Sequence, residues 1–177
     1  MFKKYIPFAC AKSIYEIDVQ FYIQNNVKVL LMDLDNTLDS YKLYHPTDKA
    51  FKLIDLLRKN EIYPVIVSNN RGKRVKTYAN DLKVEYINSA AKPLGFRIKR
   101  FIKKHGWDNK QIMLVGDQMI TDVRAGKNAK IKVVLTDKLV KEDQITTRFN
   151  RIFGNKIRKY HLKHKNLVDW REKYGKA

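Results

Sequence analysis

Five short, compact apolar runs, separated by longer stretches of helical periodicity, constrain this chain more than any other feature. They cover residues 28–32, 63–67, 84–87, 111–115 and 132–135, and each is dense in β-branched, leucine or aromatic side chains. Strands of this kind are buried on both faces, as in a parallel sheet flanked by helices. Between them, residues 47–60 carry Phe51, Ile54 and Leu57, and residues 93–105 carry Leu94, Ile98, Phe101 and Ile102, at helix spacing. Thr47 is a suitable N-cap, and Pro93 suits a first helical turn, where a missing N–H loses no partner. The pattern predicts an α/β fold of repeated βαβ units with a mostly parallel central sheet. Right-handed crossovers then bring the strand C-terminal ends to one edge, where open α/β sheets collect their ligands.

At 177 residues, the chain has room for one domain of about 150 residues and an extension. The expected organisation is an N-terminal strap over 1–26, the α/β core over 27–140 and a basic, helical extension over 141–177. A hydrophobic content of 44% argues against disorder despite 31% charged residues. The single cysteine, Cys10, can close no internal disulfide, which points to a reducing, cytoplasmic setting. The opening Lys3-Lys4 followed by apolar residues resembles a leader only briefly, because Pro7 interrupts it and Lys12 ends it. No run approaches the ~18 apolar residues of a membrane-spanning helix.

Polar residues cluster where the strands end. The first run leads into Asp33-Leu34-Asp35-Asn36-Thr37-Leu38, which sets two carboxylates side by side where the backbone leaves a buried strand. Such a pair is unfavourable unless a cation or a reaction compensates it. The second run ends in Ser68-Asn69-Asn70, the region after the third holds Lys92-Pro93, and the fourth ends in Gly116-Asp117 with Asp122 following. Each residue alone has an ordinary reading as a turn former, cap or surface charge. In this order they supply what phosphoryl transfer needs: a nucleophile, a hydrogen-bond donor for phosphate, a cation and metal-binding carboxylates.

The segments Asp-Leu-Asp-Asn-Thr-Leu, Ser-Asn-Asn, Ala-Lys-Pro and Val-Gly-Asp-Gln-Met-Ile-Thr-Asp, with Lys-Ser-Ile-Tyr-Glu-Ile at 12–17, resemble the haloacid dehalogenase-like (HAD) phosphatases. Within subclass III they are similar to the YqeG family, which is related to mitochondrial phosphatidylglycerophosphate phosphatases. The family's usual Gly-Gly-Asn after the last acid is here Arg124-Ala125-Gly126-Lys127-Asn128. The resemblance implies a Rossmannoid three-layer sandwich and Mg²⁺-dependent hydrolysis of phosphomonoesters through an aspartyl-phosphate. Asp33 would be the nucleophile and Asp35 the general acid–base. Ser68, Asn69 and Lys92 would hold phosphate. The metal would bind the Asp33 carboxylate, the Asp35 backbone carbonyl and Asp117, with Asp122 in or next to its coordination sphere, and Gly116 would let the backbone approach it. Residues 38–68 and 68–92 leave no room for a large cap domain, and an uncapped site suits a bulky or surface-borne phosphate such as phosphatidylglycerophosphate, or closure by a partner or second copy.

Charge is unevenly spread. Of the 37 Lys+Arg and 18 Asp+Glu, residues 127–177 hold 15 and 5. There Ile145, Phe149, Ile152, Phe153 and Ile157 recur at helical spacing beside Arg148, Arg151, Lys156, Arg158 and Lys159, with Gly154-Asn155 as a candidate break. A helix docked on its own core is the first reading of this stripe, and a basic helix on anionic lipid, at the inner face of the membrane, is the second. Phe2, Tyr5, Ile6 and Phe8 admit the same two readings. Arg71, Lys73, Arg74 and Lys76 would form a solvated helix face, or Arg71 and Arg74 would reach an anionic headgroup. A net charge of +19 also fits a different class of function, an RNA- or ribosome-associated binding module on the same fold, or a polynucleotide phosphatase.

Overall fold

A computed structural model describes residues 2–140 and 145–174, with only the backbone considered over 145–151. It is an α/β sandwich around one parallel sheet. The strands are β1 (Ala9–Ala11), β2 (Val29–Asp33), β3 (Tyr63–Val67), β4 (Glu85–Ile87), β5 (Ile112–Gly116) and β6 (Lys132–Thr136), in the order β1-β6-β5-β2-β3-β4. Every named pairing is parallel. The helices are α1 (Val19–Gln24), α2 (Asp48–Lys59), α3 (Lys73–Asp81), α4 (Phe96–His105), α5 (Arg124–Ala129) and α6 (Ile145–Lys163). The five expected strands are present within one residue at each end. The sixth, β1, lies in the expected N-terminal strap, where three residues are too few to show a period.

Sheet side chains alternate between two cores. Leu30, Met32, Ile66, Met113, Val115 and Val134 face one, with Phe21, Tyr22, Leu53, Ile54, Leu57 and Tyr78. Leu31, Val65, Val67, Leu114 and Val133 face the other, with Ile98, Ile102, Val123 and Ala125. All of these are buried, and at about 25 cal/mol per Å² of apolar area this two-sided burial is the main force holding the sheet.

Several local expectations change. Helix α4 starts at Phe96, not Pro93, because Gly95 takes the left-handed conformation (φ 77°) and turns the chain into the helix. A Cβ at Gly95 would fall 2.7 Å from the Ala125 carbonyl oxygen, so only glycine fits. Leu94 and Phe51, assigned to apolar helix faces, are exposed. Thr47 does precede α2, yet its hydroxyl bonds Asp39 rather than the helix N–H groups.

The C-terminal stripe divides. Helix α6 runs unbroken through Gly154, where a Cβ would fall 3.7 Å from Met119 Cβ, and Ile157 and His161 are buried. His161 Nε2 lies 3.1 Å from the Phe2 carbonyl oxygen, and the Phe2 ring packs edge-on against Tyr160. Ile152 and Phe153 are exposed, whereas the side chains of Ile145, Arg148, Phe149 and Arg151 lie outside the described residues. Beyond α6, Val168 accepts a hydrogen bond from the Cys10 N–H at 2.8 Å, covering the outer edge of β1. No helix among the described residues is long and apolar enough to cross a membrane.

Candidate active site

The order of the strands sets where chemistry can occur. From β2 the chain goes to β3 and β4 on one side, then crosses to β5 on the other, so β2 and β5 flank the point at which the winding reverses. Asp33 closes β2, Gly116 closes β5, and Asp117 follows. Asp33 is paired in register with Val67, which places Ser68 one residue beyond it on the neighbouring strand.

Lys92 arrives from the loop after β4. Its Nζ donates to Asp33 Oδ1 at 2.5 Å, to Asp122 Oδ1 at 2.6 Å and to the Val67 carbonyl at 3.2 Å. The Asn69 side chain fixes this loop, donating to the Lys92 carbonyl at 2.9 Å and accepting from the Lys92 N–H at 2.8 Å. Asn69, expected among the phosphate contacts, therefore commits its amide to the lysine's backbone. Asn128 supports the same loop by donating to Pro93 O at 2.8 Å.

Asp122 reaches the site because the backbone over Met119–Val123 forms a π-type turn, with the Val123 N–H reaching back to Gln118 O. The wider turn folds the carboxylate back so that the Gln118 N–H donates to it at 3.0 Å. Carboxylate oxygens of Asp33, Asp117 and Asp122 lie within 4.8 Å of one another, and all three residues are buried. Hard oxygen donors in this number suit a divalent cation, and the Lys92 ammonium touches two of the three, Asp33 and Asp122. Burial pushes the Asp33 carboxyl well above the usual carboxylate range; Lys92 opposes the rise, while Asp122, Asp117 and Asp35 add to it. Burial works against the Lys92 ammonium too, but Asp122 and Asp33 outweigh it and hold that group above the ordinary lysine range.

Ser68 is buried, and its Oγ accepts from the Asn70 N–H at 3.1 Å, which leaves the hydroxyl proton to be donated elsewhere. Asp35 sits where the turn opens, with Asn36 in the left-handed region (φ 66°) and its N–H bonded to Asp39 O at 2.8 Å. Asp33, Ser68, Lys92, Asp117 and Asp122 thus share one sheet edge.

Sequence reasoning missed two supporting groups. Arg74, expected on a solvated face, is buried and donates to Asp35 Oδ1 at 2.5 Å. The signal was present in the helical spacing: Arg74, Val75, Tyr78 and Ala79 form one face, and its other three members are apolar or aromatic. Asp39, also buried, accepts from Tyr78 Oη at 2.5 Å and from the Thr47 N–H at 3.0 Å, and so anchors the far end of the acidic turn.

Comparison with known proteins agrees with this geometry. The HAD-hydrolase-like family profile matches residues 89–149, which span Lys92, Asp117 and Asp122. Among solved structures, a putative 3-deoxy-D-manno-octulosonate 8-phosphate phosphatase from Vibrio cholerae superposes with a TM-score of 0.53 at 14% identity, over 77% of this chain and 76% of that one. The cobalt-bound 3-deoxy-D-manno-octulosonate 8-phosphate phosphatase of Haemophilus influenzae gives 0.50 at 16%, over 67% and 81%. These likenesses establish the shared fold. The "Probable phosphatase YqeG" of Bacillus subtilis is 31% identical over 173 residues, 97% of this chain and 100% of that protein. A match of that extent, on a chain that carries the acids, the serine and the lysine at one edge, places this protein in the YqeG family of HAD-superfamily phosphatases.

Proposed function

We propose that the chain hydrolyses phosphomonoesters through a phosphorylated Asp33, with Asp35 as general acid and base and Mg²⁺ as the resident cation. The observation that carries this reading is the junction of Lys92 with Asp33 and Asp122, with Asp117 completing a carboxylate set inside 4.8 Å. In the first step an Asp33 oxygen attacks phosphorus, the bond to the alcohol oxygen breaks, and Asp35 gives that oxygen a proton. In the second, water attacks the phosphoryl group, Asp35 takes the water's proton, and Asp33 is regenerated. Ser68 and Lys92 hold the non-bridging oxygens, where their value rises as charge develops, and Asn69 fixes Lys92. The carboxylates of Asp33, Asp117 and Asp122 and the backbone carbonyl of Asp35 would hold Mg²⁺. When bound, this ion screens the nucleophile from the phosphate dianion.

The substrate we infer is a bulky phosphate ester, with phosphatidylglycerophosphate as the specific candidate. Support comes from the family resemblance and from the short segments between β2 and β4, which hold α2 and α3 and no inserted domain among the described residues. Exposed Leu43, Tyr44, Leu94, Phe96 and Leu139 lie in or just beyond the loops that follow β2, β4 and β6, on a chain with a net charge of +19. That combination suits peripheral contact with an anionic membrane at its inner face. The test is phosphate release from phosphatidylglycerophosphate in anionic vesicles with Mg²⁺, using Asp33→Asn as the control. Unchanged release by that variant removes Asp33 as nucleophile. Release from soluble esters alone removes the lipid.

A further inference from the structure

The residue that the four-motif pattern leaves out is Arg74. It is 6% exposed, an unusual degree of burial for arginine, and its guanidinium is spent on three acceptors. One terminal nitrogen donates to Asp35 Oδ1 at 2.5 Å, the other to Ser40 O at 3.1 Å, and Nε to Leu43 O at 2.6 Å. A planar fork of fixed geometry thus joins the side chain at position 35 to the loop that follows it, from a helix on the neighbouring βα unit. The guanidinium takes one carboxyl oxygen, Asp35 Oδ1, and not Oδ2.

We infer that Arg74 is a positioning residue for the general acid–base. It pins Oδ1 and so leaves Oδ2 as the oxygen that exchanges the proton. This rests on the role proposed above for Asp35. As the P–O bond to the leaving alcohol breaks and the bond to Asp33 forms, the proton moves from Oδ2 to the departing oxygen; as water then displaces Asp33 from phosphorus, a water proton returns to Oδ2. A carboxyl free to rotate about its last torsion presents either oxygen, or neither, at that position. Proximity and orientation are the effects at stake. The two loop carbonyls keep the guanidinium from following a swinging carboxyl, so the anchor is referred to backbone rather than to another mobile side chain.

A scaffold role and a positioning role separate by leaving group. An alkyl phosphate needs its departing oxygen protonated, whereas p-nitrophenyl phosphate releases a stable phenolate and does not. Comparing kcat/KM, which reports phosphoenzyme formation, Arg74→Met is expected to lose roughly 100-fold on glycerol 1-phosphate and less than about threefold on p-nitrophenyl phosphate, as removal of general acid catalysis does. Arg74→Lys retains the charge without the fork and should recover only part of the loss; it also serves if the methionine variant does not fold. In an Asp35→Asn background the Arg74 substitution should cost nothing further. Equal losses on both substrates, no loss, or an undiminished cost in that background would overturn the assignment. An Asp35→Asn protein with no leaving-group preference would instead defeat the acid role itself, which keeps the two failures apart.

Discussion

Gly116 and Asp122 approach so closely that a Cβ on the glycine would fall 2.4 Å from the aspartate's Cγ and 2.6 Å from its Cβ. The neighbour is a fully buried carboxylate held by Lys92, not a side chain free to swing aside. Gly116→Ala should therefore push Asp122 out of the acidic cluster, at a cost of about 1–3 kcal/mol. Divalent-ion affinity should fall about 10–100-fold, the loss typical of a disturbed supporting shell. Calorimetric titration with Mg²⁺ and urea unfolding check this, and wild-type affinity in the variant would refute it.

Lys92→Met removes the ammonium that pairs with both Asp33 and Asp122. Breaking a buried ion pair from one side costs about 3–5 kcal/mol. Urea denaturation in EDTA should show that loss, and added Mg²⁺ should recover part of it. Phosphate release should fall at least about 100-fold, as when a transition-state donor is deleted.

A cation that binds the folded protein alone stabilises it by mass action, by about 2.7 kcal/mol at a concentration 100 times its Kd. The melting temperature should accordingly climb with Mg²⁺ or Co²⁺. Asp117→Asn should blunt the climb, since it removes one carboxylate of the set that would hold the ion. A metal response as large as the wild type's would place the ion elsewhere.

Tyr78→Phe deletes the 2.5 Å bond from a buried hydroxyl to Asp39 and leaves Thr47 as the remaining side-chain donor to that carboxylate. Hydrogen bonds to charged groups contribute about 1.5–3 kcal/mol, and chemical denaturation should return a loss in that range. Because Asp39 anchors the turn that carries Asp35, a drop in kcat should accompany it.

Cys10 gives a pH test away from the site. Burial pushes its thiol from 9.0 up to about 11, with Asp137 and Asp169 adding to the rise and Arg158 opposing it. Between these values the unfolded chain has released the proton while the native state still binds it. Native stability is thus unaffected by this group below about pH 9 and falls as pH climbs toward 11. Cys10→Ala should show a shallower decline over that interval, and at neutral pH iodoacetamide should label the native thiol far more slowly than the unfolded one. Equal slopes for the two proteins would show that the shift is absent.

How far the sequence could be read depended on the range over which each feature is determined. Strand positions follow from composition over about five residues, and 29–33, 63–67 and 132–136 fall where the apolar runs lie. The acids and Lys92 could be found because each stands directly after a strand, or a short loop beyond one, and topology alone carries strand ends to one edge. Asn69 was identified as a residue near the site, but its partner was not, since its bonds run to a backbone 23 positions away. Arg74 was misjudged in part for the same reason: helical spacing put it on the face of Val75, Tyr78 and Ala79, but its partner lies 39 residues back along the chain. β1 was missed because three residues, Ala-Cys-Ala, carry no pattern without the neighbour they pair with.

That neighbour is β6, matched Ala9 to Val134, 125 residues later in the chain. On the ribosome, β1 must wait beside an unfinished sheet until β6 has left the exit tunnel. Contacts of such long sequence separation form late and slow the folding of the whole. Until Val168 and its neighbours arrive to cover Cys10, the exposed border is also a template for another chain. Nascent chains stalled between residues 123 and 131 should therefore be prone to aggregate and open to proteases at their beginning, although every group assigned to the chemistry has already been synthesised.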